Sequence, residues 1–202
     1  MHGFFRRGFP AIMEPLRKKG EHAVKKLTCR EILIRTLCEL LTRRSFDRIS
    51  VQDILEETGV SRATFYKHFS CKEQLLTEAF EALWRETAGS CAPLADLYAI
   101  ERAFLLLICR HECVMRRAWD TPALQRHLQN FFADKLACAS QPGGLANGRR
   151  AFLVQSMTAV LMDVGRGFVS RPDLKEIDAI AGRVQRLWTA MNMGFIESDG
   201  AA

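Results

Sequence analysis

From Ser61 to His68 the chain sets Arg62, Thr64, Tyr66, Lys67 and His68 around one small residue, Ala63. Their guanidinium, hydroxyl, phenol, ammonium and imidazole groups can all donate hydrogen bonds, which suits phosphates and base edges. Arg62 is the candidate base reader, since a guanidinium can grip guanine O6 and N7 with two bonds; the plainer alternative is a phosphate contact. Thr64 offers a hydroxyl and a methyl to a base edge, and Ala63 offers close approach. Ser50 and Lys72 extend the set: Ser50 is a helix cap that can also bond a phosphate, and Lys72 lies beside the free amides where a further helix begins. Nothing comparable points to catalysis. No nucleophile–base pair, phosphate-cradling glycine loop or paired carboxylate stands out, so no enzyme activity and no cofactor are expected. Cys109, His111 and Cys113 form the one metal-like cluster, but on a continuous helix His111 points away from the other two. A zinc site wants four ligands, so chance spacing accounts for these three and no metal is expected.

Holding the basic side chains requires two short helices and a tight turn. Ser50 can cap a helix whose apolar residues Val51, Ile54 and Leu55 recur at helical spacing. Gly59 can end it in a left-handed conformation that strains glycine little. Ser61 then caps a second, short helix, which Val60, Phe65 and Phe69 can pin down while its other side stays polar and basic. That shape fits a DNA major groove. A preceding helix is predicted over about 28–43, with Leu33, Leu37, Leu40 and Leu41 on one face. Ser70, in capping-box spacing with Glu73, predicts the start of a fourth helix that runs to about Thr87.

The run Gly59-Val60-Ser61-Arg62-Ala63-Thr64-Phe65-Tyr66-Lys67-His68-Phe69, followed by Lys72-Glu73 and Leu75-Leu76, resembles the DNA-binding domain of TetR/AcrR-family transcriptional regulators. The likeness extends from about Leu27 to Leu83, with Ser45 standing where that family often has glycine. The resemblance implies that Tyr66 and His68 contact the DNA backbone, although His68 also suits the negative end of its helix. It further implies that the last two helices form a four-helix dimer interface with their copies. Beyond about residue 90 it rests only on length and helical character.

Charge distribution supports a polyanion-binding head. Of the net charge of +6, the residues through Lys72 supply 15 Lys and Arg against 8 Asp and Glu, and the remaining 130 residues hold 14 against 15. Residues 1–26 read as a disordered basic arm or as a start-site extension ahead of Met13. Seven cysteines, odd in number and without a CxxC pair, favour reduced thiols and a cytoplasmic location. No apolar run is expected to cross a membrane.

The rest of the chain predicts helices near 94–110, 112–119, 122–139, 148–169 and 173–193, bounded by Pro122, the loop at Pro142-Gly143-Gly144, and Pro172. Large apolar residues of the middle helices are candidates for an effector cavity: Phe80, Trp84, Phe104, Ile108 and Met115, then Trp119, Leu128, Phe131, Phe132 and Met157. Taken one by one, each also suits a helical core. Glu101 and the other nearby acids are expected on solvated helix surfaces. Phe152, Val160 and Val164, with Ile180, Val184, Leu187, Trp188 and Met191, are candidates for the dimer interface.

The expectation is an all-α protein with a three-helix helix-turn-helix domain at 27–88, a helical ligand-binding and dimerisation domain at 89–195, and a disordered tail at 196–202. Its expected partners are double-stranded DNA, a second copy of itself and a small apolar or aromatic effector, with no membrane. The reading is a ligand-responsive repressor on a palindromic operator; the alternative is an effector-independent architectural or cell-division DNA-binding protein of the same fold.

Overall fold

Thr28 opens the first helix with a capping box, its side chain accepting from the Glu31 amide while Glu31 reaches back to the Thr28 amide. The computed structural model describes residues 27–89, 97–139 and 147–199, with side chains over 27–89, 98–138 and 151–190. Every regular element among them is helical. They are α1 (Cys29–Arg43), a 3₁₀ turn (Phe46–Arg48), α2 (Val51–Thr58), α3 (Arg62–His68), α4 (Lys72–Ala88), α5 (Leu97–Arg110), α6 (Glu112–Asp120), α7 (Pro122–Ala139), α8 (Asn147–Val169) and α9 (Ile177–Asp199). The 1–26 arm lies outside the described residues, as does the Pro142-Gly143-Gly144 loop.

Packing divides the chain into two compact units, one of residues through Glu86 with Arg110–Leu128, the other of Thr87–Cys109 with the residues from Gln129 onward. The division expected at residue 88 follows chain order, whereas the first unit also takes in α6 and the start of α7. In that unit α1 packs against both α2 and α6. Leu33, Leu37 and Leu41 on one face of α1, with Phe46, Ile49, Ile54, Phe65, Phe69, Leu75 and Leu76, are essentially sealed from solvent. In the second unit α8 packs against α9, and Phe104 meets Phe132 edge-on with ring centres 4.2 Å apart. The Asp178 carboxylate at the start of α9 accepts from Arg102 Nε at 2.7 Å and from the Tyr98 hydroxyl at 3.3 Å, tying α5 to α9.

Several expectations change. Ser70 pairs with Gln74 rather than Glu73: its amide donates to Gln74 Oε1 at 2.6 Å and its hydroxyl to the same atom at 3.0 Å. The helix starts later than expected, at Lys72, which moves the third helical residue from Glu73 to Gln74. The last helix begins at Ile177 rather than 173, because the Asp173 side chain accepts the Lys175 amide and its carbonyl accepts the Glu176 amide in a turn of its own. It also continues to Asp199, past the tail expected from 196. Glu101 is not on the surface but wholly buried. Ala151–Val169 is, contrary to expectation, long and apolar enough to cross a membrane, with mean hydropathy 1.2; half of it is buried within the fold, as in a core helix.

The break expected between the helices at 94–110 and 112–119 falls at His111, which caps α6 with φ −123° and ψ 37°. Its imidazole is 2% exposed, and neither ring nitrogen has a partner among the described residues. Burial, and then the charge of Arg110, pushes its pKa from 6.5 down to about 4. A histidine held below its unfolded value stabilises the fold fully above pH 6.5, and that contribution is lost as pH falls toward 4. His111→Leu should remove this sensitivity. In urea unfolding, the wild-type protein should lose up to about 3 kcal/mol more than the variant between pH 7 and pH 4; parallel pH profiles would contradict it.

Candidate nucleic-acid interface

At the start of α2 the capping box closes locally. Ser50 Oγ accepts from the Asp53 amide at 3.1 Å, and the Asp53 carboxylate accepts from the Ser50 amide at 2.7 Å. Arg44, which ends α1, reaches the same carboxylate at 3.0 Å. The Ser50 hydroxyl and amide, followed by Arg44, hold Asp53 below the ordinary carboxylate pKa, so this end of α2 keeps its negative charge. Gly59 ends the helix with φ 68° and ψ 9°, and its amide donates to Leu55 O at 2.9 Å. A side chain would find open space here, but the left-handed backbone would strain it.

Ser61 caps α3, its hydroxyl accepting from the Thr64 amide at 3.2 Å and meeting the Thr64 hydroxyl at 2.9 Å. Phe65 and Phe69 are buried with ring centres 6.0 Å apart, which fixes which side of α3 faces out. Arg62, Ala63, Tyr66, Lys67 and His68 are exposed on that outer side, and Thr64 is half-buried. The expected contact residues therefore share one outward face, except that the Ser61 and Thr64 hydroxyls already engage each other.

Two features of the site are not legible in the sequence. Gln52, exposed on α2, accepts from Arg62 Nη2 at 3.3 Å and donates to Glu56 at 3.0 Å, so the candidate base reader has a partner on the neighbouring helix. Only its place one residue beyond Val51 on the polar side of α2 could have flagged it. Lys72 is half-buried, and its ammonium donates to the carbonyls of Phe46 at 3.1 Å and Ile49 at 3.0 Å instead of standing free at the start of α4. Ser50, Tyr66 and Lys72 nonetheless border one recess of about 430 Å³, together with Arg48, Ser70 and Cys71. Asp47 and Glu73 on its rim temper the positive charge there.

The other expected sites fare differently. Phe80, Trp84, Met115 and Leu128 are buried in the first unit, with Trp119 half-buried; Phe104, Ile108, Phe131, Phe132 and Met157 are buried in the second. The ten candidates for an effector cavity are thus distributed over two cores. On α8 and α9, Phe152 and Leu187 are 53% and 56% exposed, Val160 and Val164 half-buried, and Ile180, Val184 and Trp188 buried; the Met191 side chain lies outside the described residues. A groove of about 460 Å³ brings Val164, Ile180, Val184 and Leu187 together. Among the described residues no group of three or more His, Cys, Asp or Glu is placed to hold a metal ion.

A capped short helix, anchored by aromatic residues and joined to its predecessor by a glycine turn, defines the first unit as a helix-turn-helix module. Residues 33–79 match the family described as bacterial regulatory proteins, tetR family. Over 84 residues, 42% of this chain and 43% of the other, it is 29% identical to the dhaKLM operon transcriptional activator DhaS of Lactococcus lactis. Over 52 residues, 26% of this chain and 18% of the other, it is 38% identical to the uncharacterised HTH-type transcriptional regulator YerO of Bacillus subtilis. The likeness thus spans less than half the length of either relative. In structure, 80% of the chain superposes on 94% of the dihydroxyacetone kinase operon activator DhaS with a TM-score of 0.55 at 15% identity. A structure from Pseudomonas aeruginosa PAO1 described as a transcriptional regulator gives 0.50 at 21% identity, over 79% of this chain and 90% of that one. At these identities the two structures speak to the fold, and the all-helical fold with a helix-turn-helix head is what they share with this chain.

Proposed function

We propose that this protein is a sequence-specific double-stranded-DNA-binding transcriptional regulator acting in the cytoplasm. The observation that carries the proposal is the outer face of α3, where Arg62, Ala63, Tyr66, Lys67 and His68 stand exposed on a helix immobilised from below. Arg62 and Thr64 read base edges, while Tyr66, Lys67, His68 and Ser50 hold the backbone. A seven-residue helix covers few base pairs, so the binding unit is a homodimer on a palindromic operator with half-sites roughly 34–36 Å apart. The exposed Phe152 and Leu187 of α8 and α9 are the apolar groups that a second copy would cover.

We read the outcome as repression, since occupying DNA blocks transcription without any added contact; DhaS, an activator by name, marks the opposite sign. Release follows when a small apolar or aromatic effector enters the second unit near Phe104, Ile108, Phe131, Phe132 and Met157.

Selection from random duplexes should recover a palindrome, with affinity falling steeply as salt rises. Arg62→Ala should cost about 1–3 kcal/mol and relax one base pair per half-site. Equal binding of selected and random duplexes would remove the regulator reading. Phe152→Lys with Leu187→Lys should give folded monomers in sedimentation and at least tenfold weaker operator binding, both positions being exposed in the protomer; a surviving dimer would exclude this interface. Lipophilic compounds that raise the melting temperature should weaken operator binding reciprocally, by about 1–3 kcal/mol of coupling. Stabilisation without any loss of operator affinity would separate ligand binding from regulation.

A further inference from the structure

Lys72 has a role that its position in the sequence does not announce. Its ammonium lies over the Phe46 ring, with Nζ 4.4 Å from the ring centre, and two of its three hydrogens go to Phe46 O and Ile49 O. Those carbonyls bound the 3₁₀ turn that leads into Ser50, the cap of α2. Phe46 O also accepts the Ile49 amide at 3.0 Å and Ser45 O the Arg48 amide at 3.0 Å, so the lysine adds to a turn that two backbone bonds close. The His127 ring stands edge-on to this cluster, 6.5 Å from Phe46. Because Lys72 is the first residue of α4 and Ile49 directly precedes the cap of α2, one side chain joins the two ends of the segment that contains α2, the Gly59 turn and α3.

We infer that Lys72 is a positioning residue that staples the helix-turn-helix at its two ends and so sets how α3 is presented, rather than a phosphate contact. The inference rests on the DNA-binding reading only for its consequence in affinity; the staple itself belongs to the DNA-free protein. A charged donor bonded to two carbonyls in a half-buried setting contributes to the stability of the DNA-free protein, which a phosphate contact would not.

Lys72→Met keeps an unbranched side chain of similar length and removes the ammonium, and it tests the staple in the full-length chain. In the DNA-free protein, amide resonances of Phe46–Asp53 should shift and lose exchange protection while those within α1 hold, and the melting temperature should fall by roughly 5 °C. Affinity for a selected operator duplex, measured well below the melting temperature, should fall about tenfold. Affinity for a random duplex, and the slope of log affinity against log salt, should stay near wild type. Equal weakening on both duplexes, with an unchanged melting temperature and a salt slope shallower by about 0.9 for one phosphate left without its lysine, would identify a phosphate contact and overturn the inference. A lower melting temperature with unaltered operator affinity would also overturn it, leaving a purely structural lysine. If Lys72→Met does not fold, Lys72→Arg, which keeps a charged donor within reach of both carbonyls, takes its place. The arginine variant should fold and retain operator selectivity, and uniform weakening on both duplexes would overturn the staple. Absence of selective binding by the wild-type protein would defeat the regulator reading, and the resonance and melting measurements would still decide the staple.

Discussion

A helix of seven residues does not hold itself in water, because the unfavourable first turn is offset only over a dozen or more residues. What α3 presents to the outside therefore depends on the burial of Phe65 and Phe69 beneath it. Like those rings, Leu33, Leu37 and Leu41 of α1 and Leu75 and Leu76 of α4 are buried in the same unit. The cover over Phe69 is partly ionic: the Arg30 guanidinium lies 5.9 Å from its ring centre and bridges to Glu78 at 2.6 Å, joining α1 to α4. Removing either ring would leave a cavity and cost about 3–5 kcal/mol, and the basic face would be lost with the helix that carries it. The outward chemistry is easily altered; its platform is not.

The parts of this design legible in the sequence are those whose partners lie close along the chain. Ser50 with Asp53, Ser61 with Thr64 and Thr28 with Glu31 are each three residues apart, and Gly59 needs only its own backbone. The role of Lys72 is hidden because its partners lie 23 and 26 residues away and are carbonyls, which any residue type supplies. The Gln52–Arg62 pair hides for a similar reason, since it exists only once the turn at Gly59 has brought α2 beside α3. Glu101 shows the limit of composition: a carboxylate is expected at the surface, and only the packing of the second unit places it inside. The start of α9 moves because Asp173 closes a turn on Lys175 rather than beginning a helix.

The second unit carries less specific information. Its core is large, aromatic and continuous in composition, as many helical cores are, and the apolar pattern identifies interior without distinguishing a solid interior from one that opens to a ligand. The stripe along α9 illustrates this. Ile180, Val184 and Trp188 are buried within the protomer while Leu187, adjacent in sequence and equally apolar, stands out. An i, i+3, i+4 pattern marks one face of a helix, but a broad stripe can serve two neighbours at once, and only the packed protomer separates the side chains already covered from those left over.

Arg62 is engaged before any DNA arrives, and Gln52 is in turn engaged by Glu56. On the proposed reading of Arg62 as a base reader, docking is an exchange reaction, in which a base edge displaces an acceptor that the protein itself provides. A guanine with two acceptors in the right plane more than replaces the displaced amide, whereas a base offering one acceptor merely substitutes like for like. The resident glutamine acts as an internal standard against which each base pair is weighed. Every base that displaces it meets the same cost, so the glutamine lowers the absolute strength of all such complexes alike and leaves the preference among them to the acceptors that each base presents.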